Sequence, residues 1–294
     1  MAGLYQGGCE VSGSDLRRRA ITGPAADTRE RFCVGVFDSG IGGVSVLRAI
    51  HRSLPQLELL YVADTEHAPY GSRRSADIRL RARCVTEFLF QHGADAVVLA
   101  CNTATAVAIP TLRRIYSRPL VGVEPAIKPA LERTRTGRIG ILATEVTLGS
   151  ERFRRLSDCW SDSVEILPQP CPDLVREVEK GNWDGVRMRS LLQSYIDPLL
   201  TEGADTLVLG CTHYHFLSPL LSQLAGSQTA ILDPCYPVAK QLARVLSLEK
   251  ASPHPEEEEP SRSPQFWTSG DPACFQGQLD WIWARNTWVR KFPL

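Results

Sequence analysis

Two cysteines stand out because the same kind of sequence surrounds both. Cys101 lies in "VVLACNTATAVAIPTL", which begins at Val97, and Cys211 lies in "LVLGCTHYHFLSPLL", which begins at Leu207. In each phrase an apolar run typical of a buried strand ends at the cysteine, and short polar side chains follow. A thiol has an ordinary pKa of about 8.5, so its surroundings can tune it to act as acid or base near neutral pH. Two thiols facing one tetrahedral carbon from opposite sides could therefore invert it by proton transfer.

A free cysteine at the end of a core strand is most often inert packing. The repeated polar context favours a functional interpretation for Cys101 and Cys211. The remaining seven cysteines lack that context and are interpreted as structural: Cys9, Cys33, Cys84, Cys159, Cys171, Cys235 and Cys274.

The elements that must position the two thiols alternate along the chain. "CVGVF" predicts a buried strand, "DSGIGG" a tight turn and "VSVLRAI" a helix, and a further helix is expected from a cap at Ser75 to a stop at Gly93. "LELLYVADT", "DAVVLACNT", "LVGVE" and "RIGILATEVT" predict further strands. Strands alternating with helices predict an α/β fold with mainly parallel sheets.

A weak internal repeat indicates two similar domains in tandem. "VGVFDSGIGGVS" from Val34 resembles "IGILATEVTLGS" from Ile139, an offset of 139 − 34 = 105, and the cysteines differ by 211 − 101 = 110. Ligands of open parallel sheets bind beyond the carboxyl ends of the strands, so if the two units face each other, the active site lies in the cleft between the domains. The polar residues at those ends are Asp38, Ser39, Asp64, Thr65, Cys101, Asn102, Thr103, Thr144, Thr147, Cys211, Thr212 and His213.

Shifts in composition mark an N-terminal extension and an exposed loop on either side of the two predicted domains' main segments. Residues 1–31 show no sustained apolar period and are predicted to be a flexible extension. Residues 32–127 plus 240–294 are predicted to form the first α/β domain, and residues 128–239 the second. Residues 249–264, "EKASPHPEEEEPSRSP", are acidic and rich in proline, which predicts an exposed loop within the first domain.

Bulk composition excludes several classes of protein. The formal net charge of zero gives no electrostatic reason to expect nucleic acid or a membrane surface as a partner. No stretch approaches the roughly 18 apolar residues of a spanning helix, and the N-terminus is a poor signal peptide. Nine cysteines without CxxC pairs predict reduced thiols in a cytoplasmic protein.

Two motifs bear on cofactors. "CTHYH" has alternating potential zinc ligands, but no second cluster with ligand spacing completes it, so no metal is expected. "DSGIGG" lacks the ending of a phosphate loop and the spacing of a dinucleotide fingerprint, and no other cofactor site is evident. We expect this turn to present N–H groups to a small anion such as a carboxylate.

The chain resembles the glutamate racemase family, of the proteobacterial type within the aspartate/glutamate racemases. The matching phrases are "GVFDSGIGG", "DTEHAPYG", "ACNTAT", "VEPAIKPA", "GCTHY" and "FWTSGDP", in family order across residues 33 to 280. The resemblance implies a cytoplasmic, cofactor-independent isomerase that interconverts L- and D-glutamate and supplies D-glutamate for peptidoglycan, and hence for cell shape.

The resemblance also implies roles for individual residues. Cys101 and Cys211 would each move a proton on one face of Cα. Asp38 would assist Cys101, and His213 would assist Cys211. Glu179 stands where the family often has a carboxylate near the second thiol. Glutamate would be bound by Asp38, Ser39, Tyr70, Gly71, Asn102, Thr103, Thr147, Thr212 and His213.

Some features depart from the family pattern. His67 replaces a common arginine, His215 follows "GCTHY" where proline is usual, and "DPCYPVA" stands where serine often follows the aspartate. Arg176 and Glu177 replace apolar residues near Glu179. The N-terminal extension and "PAIKPA" most resemble the proteobacterial members, some of which are activated by the peptidoglycan precursor UDP-N-acetylmuramoyl-L-alanine. Whether the chain forms a homodimer is left open.

Three other functions compete with a glutamate racemase. A racemase of aspartate or another small amino acid would share the scaffold. A hydrolase could use Cys211 and His213 as nucleophile and base, although the second placed thiol argues against it. A non-catalytic amino-acid-binding regulator is weakened by the presence of both cysteines.

Overall fold

The computed structural model describes residues 32–248, 262–283 and 287–293. They belong to one compact unit, Arg31–Leu294. The predicted flexible extension, residues 1–31, lies outside the described residues, and so do residues 249–261 of the predicted acidic loop.

Strands and helices alternate through most of the described chain, as the sequence predicts. The strands are β1 (Cys33–Asp38), β2 (Glu58–Ala63), β3 (Ala96–Leu99), β4 (Leu120–Gly122), β5 (Arg138–Ala143), β6 (Glu165–Pro170), β7 (Thr206–Gly210), β8 (Ala230–Leu232), β9 (Gln265–Thr268) and β10 (Val289–Lys291). The helices are α1 (Val44–Ser53), α2 (Ser75–Gln91), α3 (Asn102–Ile115), α4 (Ile127–Leu131), α5 (Glu145–Leu148), α6 (Glu151–Asp158), α7 (Leu174–Glu179), α8 (Val186–Thr201), α9 (Ser218–Ala225), α10 (Cys235–Val245) and α11 (Pro272–Leu279). Short 3₁₀ helices lie at Thr65–His67, Tyr70–Ser72 and Thr212–Leu217.

The strands form two parallel sheets, which confirms the predicted fold class. The first sheet has the order β10-β9-β2-β1-β3-β4 and the second has the order β6-β5-β7-β8. We call the residues around the first sheet the first lobe and those around the second sheet the second lobe. The division of the chain into domains of residues 32–127 with 240–294 and 128–239 stays a prediction.

The internal repeat is confirmed by the strand order. In the first lobe β1 lies between β2 and β3, and β4 follows β3; in the second lobe β5 lies between β6 and β7, and β8 follows β7. Val36 pairs with Val98 in the first sheet, and Ile141 pairs with Val208 in the second. The two cysteines therefore follow equivalent strands, β3 and β7.

The core explains why the central strands are almost wholly apolar. β3 and β7 are buried along their whole length because helices cover both faces of a parallel sheet. One buried cluster continues from the first lobe into the second and includes Leu47 of α1, Leu217 and Leu242 of α10. No helix of the described chain is long and apolar enough to span a membrane.

The predicted boundaries of α2 are only partly correct. Gly93 has a φ of 92° just after the helix, as expected for a glycine stop. The predicted cap at Ser75 is wrong, because Ser75 is the first helical residue, Arg74 occupies the cap position and no side chain caps this end.

Candidate active site

Cys101 lies where β3 gives way to α3, and its thiol caps that helix. The N–H of Ala104 donates to Cys101 Sγ at 3.4 Å, and the Ser39 hydroxyl lies 3.8 Å from the same sulfur. Burial, followed by the negative charge of Asp38, raises the pKa of Cys101 well above that of a free thiol. The Ala104 N–H opposes this rise, since a helix N-terminus favours a thiolate. The thiol is therefore held mainly in its protonated form.

Cys211 follows β7 and has an imidazole as its neighbour. Its Sγ lies 3.8 Å from His213 Nδ1, and His213 Nε2 lies 2.6 Å from Glu179 Oε1. Burial alone would lower the pKa of His213, but hydrogen bonding to Cys211 and Glu179 outweighs it and raises that pKa well above the usual value. A protonated ring donates one N–H to Glu179 and directs the other towards Cys211.

The Gly-rich turn of residues 38–43 belongs to the first lobe and contacts residues of the second lobe. The Ile41 N–H donates to Glu179 Oε1 at 3.0 Å, so the carboxylate expected at this turn is supplied by the chain itself. A Cβ at Gly40 would lie 1.9 Å from Glu179 Oε1, and a Cβ at Gly42 would lie 2.4 Å from His213 Nδ1. Only glycine permits this close approach of the turn to the second lobe.

Asp38 interacts with groups near both thiols. Its carboxylate is fully buried, accepting from the Gly40 N–H at 2.8 Å and from the Thr212 hydroxyl at 3.1 Å. Burial raises the pKa of Asp38, while the positive charge of His213 opposes the rise. Cys211 also contributes to the raised pKa of Cys101, which means that both thiols share one electrostatic environment. The structure thus brings Asp38, both cysteines, His213 and Glu179 into a single site.

Asn102 has a buried side-chain amide that no other described residue satisfies. Its side chain is 3% exposed, yet neither its amide nitrogen nor its amide oxygen has a hydrogen-bond partner among the described residues. A buried amide left unpaired is costly, and in enzymes a ligand commonly supplies the partner. Asn102 directly follows Cys101 at the start of α3, and its neighbours around a small pocket include Thr147.

Three buried threonines extend the polar lining across the lobes. Thr103 Oγ1 lies 3.0 Å from Thr144 Oγ1 and 3.4 Å from Thr147 Oγ1, and the hydroxyls of Thr144 and Thr147 lie 2.9 Å apart. Thr103 belongs to α3, Thr144 directly follows β5 and Thr147 lies on α5. The resemblance assigns Thr103 and Thr147 but not Thr144. The position of Thr144 at a strand end was the available signal.

Tyr70 and Gly71 lie at the edge of this site. The Tyr70 hydroxyl donates to Asp64 at 2.5 Å, and Arg81 binds the same carboxylate through two nitrogens, so the phenol is committed to a structural network. A Cβ at Gly71 would meet Thr144 at 2.9 Å, a contact between the lobes. A neighbouring pocket of about 110 Å³ is lined by Pro69, Gly71, Ser72, Thr144, Glu145, Pro172, Asp173, Val175 and Arg176.

Gln278 is a site residue that the sequence did not reveal. Its side-chain amide donates to the Glu179 carbonyl at 2.8 Å and to Glu179 Oε2 at 3.2 Å. It lies on α11, beyond the acidic segment, and no local pattern connects it with a residue 99 positions earlier.

Comparison with known proteins agrees with this geometry. The family model for Asp/Glu/hydantoin racemases matches residues 34–242. A glutamate racemase of Pseudomonas putida is 46% identical over 262 residues, which cover 89% of this chain and 97% of that protein. The chain belongs to the glutamate racemase family. A solved glutamate racemase isoform from Bacillus anthracis has a TM-score of 0.79 at 28% identity and covers 90% of this chain and 98% of its own.

A second solved member of the glutamate racemase family bears on ligands. The Escherichia coli enzyme, solved with L-glutamate and the activator UDP-MurNAc-ala, has a TM-score of 0.77 at 29% identity and covers 89% of this chain and 98% of its own. The two-sheet architecture of this chain is thus that of solved glutamate racemases.

Proposed function

We propose that this chain interconverts L- and D-glutamate without a cofactor, by proton transfer between Cα and the thiols of Cys101 and Cys211. The observation that carries the proposal is the pair of buried strand-end cysteines, one from each lobe, in one electrostatic environment. Membership of the glutamate racemase family supports glutamate as substrate. A role in supplying D-glutamate for peptidoglycan follows from that activity.

Each thiol lies beside polar groups that can stabilise its thiolate form. Cys101 has the Ala104 N–H and the Ser39 hydroxyl, with Asp38 nearby. Cys211 has the His213 imidazole, which Glu179 orients. In one turnover the thiolate on one face of Cα removes the proton and the thiol on the other face delivers one. The α-ammonium group of glutamate brings positive charge into the site, which lowers the pKa of the thiol that must act as base.

The remaining polar groups suit binding of an amino acid. Asn102 offers an unpaired amide, and Ser39, Thr103, Thr147 and Thr212 offer hydroxyls. Such donors can hold the substrate carboxylates and stabilise charge that develops on the α-carboxylate as Cα loses its proton. We assign Tyr70 and Gly71 to the rim of the site, where the Tyr70 hydroxyl is hydrogen-bonded to Asp64.

Circular dichroism of L-glutamate incubated with the purified protein and no added cofactor tests the proposal. The signal should decay to that of the racemate with wild-type protein and with Cys84→Ser, which changes an exposed cysteine of α2. Cys101→Ser and Cys211→Ser should each abolish the decay. Faster decay with L-aspartate would assign another substrate, and unchanged decay in either active-site variant would exclude the two-thiol mechanism.

We also propose that UDP-MurNAc-ala activates this chain, on the likeness to the Escherichia coli enzyme solved with that activator. The same assay run with and without the precursor tests this regulation. An unchanged rate at saturating precursor would remove the regulatory proposal and leave the racemase activity intact.

A further inference from the structure

A second cluster of reactive side chains lies outside the proposed active site. His215, Asp233 and Cys235 bring one imidazole nitrogen, one carboxylate oxygen and one sulfur within 4.8 Å of one another. In residues 32–248, 262–283 and 287–293 no other group of three or more His, Cys, Asp or Glu side chains meets this spacing for a shared metal ion. The sequence offered no partners for His215 in "CTHYH", but the fold supplies Asp233, which precedes α10, and Cys235, which begins it.

The distances within the cluster fit a small tetrahedral ion. His215 Nδ1 lies 3.5 Å from Asp233 Oδ2 and 3.9 Å from Cys235 Sγ, so the same ring nitrogen faces both partners. Tetrahedral zinc, with bonds of about 2.0–2.3 Å, places neighbouring ligand atoms about 3.4–3.6 Å apart. Small side-chain rotations would therefore bring all three atoms into coordination.

The chemistry of the donors favours zinc among divalent ions. A thiolate and a carboxylate together balance the charge of a dication, and a neutral imidazole adds a nitrogen ligand. The Cys235 side chain is buried, whereas those of His215 and Asp233 are 28% and 34% exposed. Water can reach the open side of the cluster and complete a fourth position.

The cluster joins two elements that bear on the proposed active site. His215 lies on the 3₁₀ helix Thr212–Leu217, two residues after His213, and Cys235 begins α10. The Cys235 thiol lies 3.6 Å from the Ser45 hydroxyl, which also contacts the Thr212 carbonyl at 3.4 Å.

We propose that His215, Asp233 and Cys235 form a zinc site with three protein ligands and one water. The bound ion ties the segment after Cys211 to the start of α10, and so fixes the backbone that carries Thr212 and His213. Without an ion the His215 ring lies 3.5 Å from the Asp233 carboxylate, and the Cys235 N–H donates to Asp233 Oδ1 at 2.8 Å. The two states differ in metal stoichiometry, which can be measured without an activity assay.

Calorimetric titration of the metal-free full chain with ZnCl₂ tests the site, together with the absorption of the Co²⁺-loaded protein. Wild-type protein should bind one Zn²⁺ per chain and show sulfur-to-cobalt charge-transfer absorption. His215→Ala and Cys235→Ser should lose both signals. Asp233→Asn retains the oxygen that accepts from the Cys235 N–H but loses the charge, so it should fold normally and weaken binding by about tenfold or more.

Two controls separate this site from other thiols. Cys274→Ser removes an exposed thiol that lies 3.7 Å from Asp271, a surface cysteine–carboxylate pair, and should leave binding unchanged. Cys101→Ser/Cys211→Ser removes the thiols of the proposed active site and should also retain one Zn²⁺ and the charge-transfer band. Loss of binding in that double variant, or binding that survives in both His215→Ala and Cys235→Ser, would overturn the proposal whatever the racemase assay shows.

Discussion

At the scale of single residues, Glu179 connects three parts of the chain. It lies 2.6 Å from the His213 ring, accepts from the Ile41 N–H and receives the Gln278 amide. Burial alone would raise the pKa of Glu179, but its bonds, His213 first among them, hold that pKa below its usual value. Because His213 has a raised pKa, the two groups form an ion pair at neutral pH.

Glu179→Gln should destabilise the protein by about 1.5–3 kcal/mol, the usual contribution of hydrogen bonds to charged groups. The carboxylate contributes above its unfolded pKa of about 4.3, and this is lost as pH falls through the lowered folded pKa. The imidazolium contributes below its unfolded pKa of about 6.5, and this is lost as pH rises through the raised folded pKa. The cost should therefore be greatest between about pH 4.5 and 6.5.

Urea unfolding of wild type and variant across pH 3 to 9 would measure this profile. Glu145→Gln, which alters an exposed carboxylate at the start of α5, is the control and should change stability little at any pH. A cost for Glu179→Gln that is the same at pH 5 and pH 9 would argue against the ion pair.

The sequence predicted Cys101, Cys211, Asp38 and Thr212 as site residues because they follow or end buried parallel strands, and ligands bind at that edge of a sheet. Glu179 came only from the resemblance. The role of Gln278 and the hydrogen bond from Tyr70 to Asp64 were not predictable from the sequence. Tertiary packing fixes where those side chains point.

At the scale of elements, β1 to β5 and β7 followed from apolar runs, since burial on both faces leaves a strong sequence signal. The shorter strands β6, β8, β9 and β10 and the order of the strands in each sheet were not predicted. The sequence predicted a tight turn at residues 38–43, but it did not predict that this turn contacts the second lobe. Its glycines admit the carboxylate and imidazole of the second lobe, and nothing in "DSGIGG" itself identifies those partners.

Gly40→Ala should therefore impair the reaction without touching substrate. The added Cβ would lie 1.9 Å from Glu179 Oε1, so the carboxylate must move away from Ile41 and His213. Misplacement by about 1 Å can lower turnover about 100-fold, and we expect a loss of that order in kcat. Steady-state racemisation kinetics give the measurement.

Gly277→Ala is the matched control, because no atom lies within 4 Å of a Cβ added there in α11. It should keep full activity and gain about 0.4–1 kcal/mol of stability. In a double-mutant cycle, Gly40→Ala should add little to the loss caused by Glu179→Ala, since both act on one carboxylate. Additive losses would show that the turn acts by another route.

At the scale of the whole molecule, two related sheets each deliver one thiol to a shared site. A buried cluster that continues through both lobes, with the Asp38–Thr212 and Ile41–Glu179 bonds, holds the carboxyl ends of β1 and β7 together. The sequence predicted two units and one cleft because the repeat is encoded locally. The distances between lobes depend on packing across them, which no single repeat specifies.

Because the two thiols lie on separate lobes, the proposed mechanism predicts which enantiomer of glutamate gains deuterium from solvent. The proton that one thiol removes from L-glutamate is not the proton that the other delivers to the opposite face of Cα. In D₂O, early D-glutamate should therefore carry deuterium at Cα, while the remaining L-glutamate stays mostly protonated, since labelled product must return before the substrate gains label. A single base that serves both faces could return the original proton and give unlabelled product. Mass spectrometry of the separated enantiomers at low conversion distinguishes the two, and substantial unlabelled D-glutamate would contradict delivery by a second thiol.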